Sequence, residues 1–182
     1  MSAARQVVGQ HGLAGSSIQM IADRAGISRP TVYRRWRNLE AVVVAAIADL
    51  EEELQPTLKD PPNGDLPMAA ATAYQFLVTG PRAGFLRAVL ETSTREPPTE
   101  AALQQSVLSP MTLYLEAAAA GVPQDDGGAT AAEMARAVMD RLLLRMAQGQ
   151  SDRDAGSIAS TVTLIQTTYT GRSTSERAVE PT

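Results

Sequence analysis

The sequence contains no cysteine and a single histidine, His11. Missing thiols rule out a disulfide framework, thiolate metal ligation and cysteine nucleophiles. His11 stands beside Gly12 at the end of a short predicted helix, where it reads as a solvated cap. No His/Glu pair has metal-ligand spacing, and no glycine-rich stretch has the form of a phosphate loop; Gly80-Pro81 and Gly127-Gly128 read as breaks. The carboxylate pair Asp125-Asp126 falls in a turn and reads as solvated loop. No catalytic site, metal or cofactor is expected. Aromatic residues make up only 4%, while Ala, Val, Leu and Met are abundant, which favours helices over sheets. No apolar run is long enough to span a membrane, and "MSAARQVVGQHG" lacks the apolar region of a signal peptide. The expectation is an all-α cytoplasmic protein that does not engage a membrane.

What is present is an uneven charge distribution. The chain has 182 residues and a net charge of -4, yet residues 1–38 carry six arginines (Arg5, Arg24, Arg29, Arg34, Arg35 and Arg37) against one acid, Asp23. A basic first fifth on an acidic body points to a polyanion-binding module followed by a region with another task. Arg29, Arg34, Arg35 and Arg37 crowd into nine positions of it.

The helical pattern explains that crowding. Ala3 to Gln10 reads as a short helix with Ala4, Val7 and Val8 on one face and Gly9 weakening it. A second helix follows in "SSIQMIADRAG": Ser16 or Ser17 caps it, Ser16 with Gln19 fits a capping box, Ile18, Ile21, Ala22 and Ala25 recur at helical spacing, and Gly26 ends it. Ser28 then caps a third short helix, with Pro30 in its first turn and Val32 and Trp36 pointing inward four apart. Asn38 caps a long helix to about Leu58, and "KDPPNGDLP" breaks the chain after it. Further helices are predicted over Met68 to Thr79, Arg82 to Arg95, Thr99 to Ala120 with a kink at Ser109-Pro110, Ala131 to Gln148, and Asp154 to Tyr169. The polar tail from residue 171 has too few apolar residues to fold. No internal repeat is present.

Helix, tight turn and second helix form a helix-turn-helix, whose second helix enters the DNA major groove. Ala22 and Ala25 keep the helices close, Gly26 takes the left-handed turn and Ile27 plugs the space between them. With Val32 and Trp36 buried, Arg29, Thr31, Tyr33, Arg34 and Arg35 cover the remaining surface. Arginine reads guanine O6 and N7 bidentately, a threonine methyl touches thymine, and hydroxyls bind phosphates.

The stretch "GLAGSSIQMIADRAGISRPTVYRRWRNLEAVVVAAI" resembles the N-terminal domain of the TetR family of bacterial transcriptional regulators, whose signature has the form IA..AGVS..TLY..F..KE.L. The resemblance runs from about Ala3 to Ile47; "AAAAGVPQDD" and "VMDRLLLRMAQGQ" resemble one C-terminal subtype of that family more faintly. It implies a three-helix DNA-binding domain over 1–47, a helical ligand-binding and dimerisation domain over 48–170, and a tail over 171–182. It also implies base contacts by Gln19 and Arg29, base or phosphate contacts by Thr31, Tyr33 and Arg34, and mostly phosphate contacts by Ser17, Ser28 and Arg35. Two features depart from the family. Leu39 stands where a phosphate-binding lysine is usual, and the chain begins almost directly in the first helix without a basic arm. Either the affinity for DNA is reduced or the natural chain begins earlier.

The acidic body is less specific. Met134, Val138, Leu142 and Met146 form one apolar stripe, and Ile158, Val162, Ile165 and Tyr169 another. A homodimer interface accounts for both, with packing inside one subunit the alternative; two-fold symmetry would call for a palindromic operator with half-sites about one DNA turn (~34 Å) apart. Phe76, Phe85, Met111, Tyr114 and Met139 are candidate linings for a small apolar or amphipathic ligand, though the same spacing serves ordinary core packing. The sequence thus points to a DNA-binding transcriptional regulator, a repressor released by a ligand; the alternative is a ligand-independent helix-turn-helix DNA-binding or adaptor protein without an effector pocket.

Overall fold

The computed structural model describes residues 1–93, 96–122, 130–149 and 158–167. All regular structure among them is helical, as composition and spacing predict. The order is α1 (Ser2–His11), α2 (Ile18–Ala25), α3 (Arg29–Tyr33), α4 (Leu39–Leu58), α5 (Leu66–Val78), α6 (Pro81–Ser93), α7 (Pro97–Leu103), a π-helical turn (Gln104–Leu108), α8 (Ser109–Ala120) and α9 (Ala131–Ala147). Residues 158–167 are also helical. The expected Asp125-Asp126 turn, the ends of the last predicted helix and the tail lie outside the described residues.

Two compact units emerge. One contains Met1–Thr57 and Phe76–Pro110, the other Leu58–Gln75 and Met111–Thr182. Residue 47, where the sequence reading ends the DNA-binding domain, lies within α4, which runs from Leu39 to Leu58. In the first unit, α4 buries Val42, Ala46, Leu50 and Leu54, four apart, together with Val43 and Ile47. That is a single helical stripe, the arrangement by which an amphipathic helix fixes its orientation on a core.

The tightest seam of this unit joins α1 to α6. A β-carbon on Gly9 would stand 2.9 Å from the Phe85 amide nitrogen, and one on Gly84 would stand 2.9 Å from the Gly9 carbonyl oxygen. Only hydrogen fits at either position, so the two backbones meet where any side chain would hold them apart. Gly9 therefore serves packing, beyond the helix weakening read from the sequence. Beside the seam, Arg5 Nη2 of α1 lies 3.0 Å from Asp49 and 2.6 Å from Glu53 of α4. Glu53 also lies 3.5 Å from Arg82 at the start of α6, whose Nε donates to the Phe76 carbonyl at 2.8 Å. Charges on three helices are thus tied into one network, with Arg5 almost wholly buried.

The predicted proline kink takes a specific form. Pro110 has no amide for the Ser106 carbonyl, and the chain widens into a π turn just before it, with the Ser109 amide donating to the Gln104 carbonyl. In the second unit, Gly64 and Gly121 approach closely, and the Gly64 amide donates to the Ala118 carbonyl at 3.0 Å. Helix α9 opens with a complete capping box: Thr130 Oγ1 accepts from the Glu133 amide, and the Glu133 carboxylate accepts from the Thr130 amide at 2.7 Å. The carboxylate also accepts from the Thr130 hydroxyl at 3.0 Å, and the bonds from the Thr130 amide first and its hydroxyl second hold the Glu133 carboxyl below its ordinary pKa. No helix of the described residues is long and apolar enough to cross a membrane.

Candidate nucleic-acid interface

Local chemistry builds the turn between α2 and α3. Ser17 caps α2 by accepting from the Met20 amide at 3.2 Å. The Ser16–Gln19 capping box does not form: Ser16 Oγ donates to the Gly12 carbonyl, and Gln19 Nε2 donates to Asp23 one turn on. Gly26, at φ 66°, takes the left-handed position that ends α2, and the Ile27 amide donates to the Ala22 carbonyl at 3.0 Å. Ala22 is buried as expected, but Ala25 is exposed and Ile27 is 44% exposed, so neither fills the space between the helices. Ile18, Ile21 and Val32 supply that core.

Helix α3 is shorter than its apolar spacing suggests. It spans five residues and ends at Tyr33; Arg34 and Arg35 form a turn, with the Trp36 amide still donating to the Val32 carbonyl. Val32 is buried and Trp36 half-buried. Ser28 precedes α3 without a side-chain cap bond, because its hydroxyl pairs with Thr31 Oγ1 at 2.8 Å. Asn38 does cap α4, its Oδ1 accepting from the Ala41 amide at 2.9 Å.

All eight residues expected at DNA lie at least partly at the surface. Gln19, Ser28, Arg29, Tyr33, Arg34 and Arg35 are exposed; Ser17 and Thr31 are half-buried. Four of them, Ser17, Gln19, Arg29 and Tyr33, line one groove of about 340 Å³. Ser28, Thr31, Arg34 and Arg35 do not line it. The groove also takes in Arg37, Asn38 and Leu39, which join its wall because the chain turns between α3 and α4 at this point. The basic run already contained Arg37; its place on this wall is set by the early end of α3.

Electrostatically this surface is one-sided. Arg29, Arg34, Arg35 and Arg37 form no ion pair with a carboxylate among the described residues, in contrast to Arg5 and Arg82. Two of them are held by rings. Arg29 lies 5.4 Å from the Tyr33 ring centroid with its Nη2 donating to the Tyr33 hydroxyl at 3.3 Å, and Arg35 lies 5.7 Å from the Trp36 ring. Aromatic contact limits the wandering of a long side chain without neutralising its charge. The surface therefore keeps its positive charge free for an anion although the chain as a whole is acidic.

Residues 1–46 match the family model of the bacterial regulatory proteins, tetR family. Over those residues the chain is similar to the DNA-binding domain of that family. Its helix-turn-helix is the α2–α3 pair, and the segment matched ends inside α4. The whole chain is similar in fold to solved structures of low identity. Salmonella enterica GusR matches with a TM-score of 0.72 and 18% identity, over 93% of this chain and 92% of that one. The transcriptional regulator FadR from Bacillus subtilis, solved with stearoyl-CoA, matches with a TM-score of 0.66 and 14% identity, over 88% and 94%. The multidrug binding protein EbrR, solved with imidazole, matches with 0.62 and 21%, over 90% of each chain. No curated protein sequence matches.

Elsewhere the expected site residues are interior. Phe76, Phe85, Met111, Tyr114 and Met139 are all buried. Phe85 sits in the α1–α6 seam, and the Phe76 ring carries the Arg82 guanidinium at 4.2 Å, so both serve packing of the first unit. Met134, Val138, Leu142, Ile158 and Val162 are likewise buried within the single chain, which leaves their side chains no surface for a partner. Ile165 is half-buried. The large apolar side chains exposed on those same helices are Leu144 and Leu164.

Proposed function

We propose that this TetR-family regulator binds double-stranded DNA at a palindromic operator as a homodimer and represses transcription until a small apolar or amphipathic ligand releases it. The observation that carries the DNA-binding part is the run of four arginines over α3 and the turn after it, none neutralised by a described carboxylate, on a helix-turn-helix matched by the family model. In this reading Arg29 and Gln19 contact bases. Ser17, Ser28, Thr31, Tyr33, Arg34 and Arg35 position the helix on phosphates and neighbouring bases.

The homodimer is proposed through the exposed sides of α9 and the segment 158–167, with Leu144 and Leu164 as anchors, because Met134, Val138, Leu142, Ile158 and Val162 are buried. Two recognition helices related by a two-fold axis would meet successive major grooves. A ligand is supported by the similarity to FadR and EbrR, which were solved with stearoyl-CoA and imidazole respectively. Coupling follows from linkage: a ligand that prefers one arrangement of the helical body lowers operator affinity by its differential affinity for that arrangement.

Salt-dependent DNA binding tests the carrying observation. Arg34→Ala should weaken binding and reduce the slope of log K against log salt by about 0.9, with the helical fold unchanged. An unaltered slope removes Arg34 from the phosphate contacts. For the ligand, a panel of fatty-acyl and aromatic compounds should contain members that raise the thermal midpoint and weaken operator binding together. A compound that stabilises the protein without changing operator affinity contradicts ligand-gated release.

A further inference from the structure

Gln19 lines the groove of the DNA-binding face together with Arg29 and Tyr33, and its side chain is held from one turn further along α2. The Nε2 of Gln19 donates to Asp23 Oδ1 at 2.7 Å. Asp23 is exposed, lies outside the groove lining and forms no ion pair among the described residues. A glutamine amide can turn end for end, because its two ends have the same shape and differ in what they donate or accept. An ionised carboxylate only accepts, so Asp23 removes that freedom: the amide nitrogen faces it and the carbonyl oxygen faces elsewhere. Gln19 Oε1 has no partner among the described residues. Arg29 beside it offers donors alone, with its Nη2 turned to the Tyr33 hydroxyl. The groove thus holds one reader made only of donors and one whose open atom is an acceptor.

We infer that Asp23 sets the base that Gln19 reads: it fixes the amide with Oε1 open, which selects adenine and rejects guanine. The inference rests on the DNA-binding reading proposed above. In the major groove adenine offers the N6 amino donor and the N7 acceptor, which match Oε1 and the second Nε2 hydrogen of an amide whose first hydrogen is taken by Asp23. Guanine offers O6 and N7, both acceptors, so its O6 would stand against Oε1 with no proton between them. Turning the amide over to suit guanine would set Oε1 against the Asp23 carboxylate instead. On an exposed helix such a pair is weakly oriented, but at an interface from which water has been expelled two facing acceptors repel more strongly. Asp23 is a positioning residue: it acts through Gln19 and does not itself touch the base.

The experiment selects an operator from a random duplex pool and then compares single-pair variants of it by competition fluorescence anisotropy, for the wild type, Gln19→Ala, Asp23→Asn and Asp23→Glu. The wild type should prefer one A·T pair over G·C by about tenfold or more, and Gln19→Ala should lose that preference alone. Replacing that adenine by purine, which lacks the N6 amino group, should also weaken wild-type binding. Asp23→Asn lets either end of the Gln19 amide face residue 23 and should cut the preference to about threefold or less at that pair only. Asp23→Glu still only accepts and should keep it. Removing the Asp23 charge strengthens binding to every duplex alike, so the ratio of the two affinities reads orientation and not charge. An unchanged ratio in Asp23→Asn overturns the inference. So do a G·C pair at the position that depends on Gln19, an equal loss in Asp23→Glu, and wild-type preferences at every pair in Gln19→Ala. A weakening by Asp23→Asn on all duplexes with the ratio intact marks a structural role and overturns it as well. All of these leave the DNA-binding reading standing, whereas a wild-type protein that selects no sequence overturns that reading and this inference with it.

Discussion

Replacing Gly9 by alanine should reverse the sign that helix propensity alone gives. At a solvent-facing helical position the change from glycine to alanine stabilises by about 0.8–1.0 kcal/mol. On α1 the new methyl would lie 2.9 Å from the Phe85 amide nitrogen and 3.2 Å from the Gly84 carbonyl carbon. Both neighbours are backbone atoms of α6, next to the fully buried Phe85 and Leu86, and cannot swing aside as a flexible side chain would. Restoring an ordinary contact of ~3.5–4.0 Å means parting the two helices by roughly 0.6–1 Å. Overpacking of this kind costs about 1–3 kcal/mol. Set against the propensity gain, the net is a destabilisation of about 1 kcal/mol, or a thermal midpoint lower by about 2–4 °C for a chain of this size. Thermal unfolding followed by far-ultraviolet circular dichroism measures it directly. Gly84→Ala should act in the same direction, since its methyl would meet the Gly9 carbonyl at 2.9 Å. A rise in midpoint for either variant would refute the claim that the seam is a backbone contact.

Three further outcomes follow from local geometry. Asn38→Ala removes the acceptor for the Ala41 amide at the start of α4 and should lower stability by about 0.5–2 kcal/mol in denaturant titrations, while Asn38→Ser should recover most of the loss. Arg29→Ala should relax preference at one base pair, by about 1–3 kcal/mol of discrimination in competition binding; equal losses on every sequence would show that Arg29 does not read bases. The Glu133 carboxyl is held below its ordinary pKa by bonds from Thr130. Its contribution is therefore complete above the unfolded carboxyl's pKa and is lost as pH falls through the lower folded value. The wild-type midpoint should thus fall relative to that of Glu133→Gln between about pH 7 and about pH 3, and parallel curves would contradict this.

Much of the helix-turn-helix segment is legible in the sequence because short-range chemistry specifies it. Ser17, Gly26 and Asn38 mark helix ends by bonds to residues three to five positions away, and the structure places each where its chemistry predicts. Legibility fails where distance along the chain grows. Gly9 looks like a flaw in α1 until Gly84, 75 positions later, is brought against it. The apolar stripe of Met134, Val138 and Leu142 shows that one face of α9 is covered, but periodicity does not say whether the cover is the same chain or another; here it is the same chain. Ile27 shows the reverse error, an apolar residue in a turn left exposed because Ile18, Ile21 and Val32 already fill the space. Spacing also overestimates α3, since the inward pair Val32 and Trp36 continues a helical bond after the helix itself has ended.

The central claim, that this chain recognises a specific DNA sequence as a dimer, is tested most directly by selecting binding sites from a random duplex pool with the purified protein near physiological salt. The account predicts enrichment of a palindrome whose half-sites lie about one helical turn apart. Weak, salt-sensitive binding with no enriched sequence would contradict it.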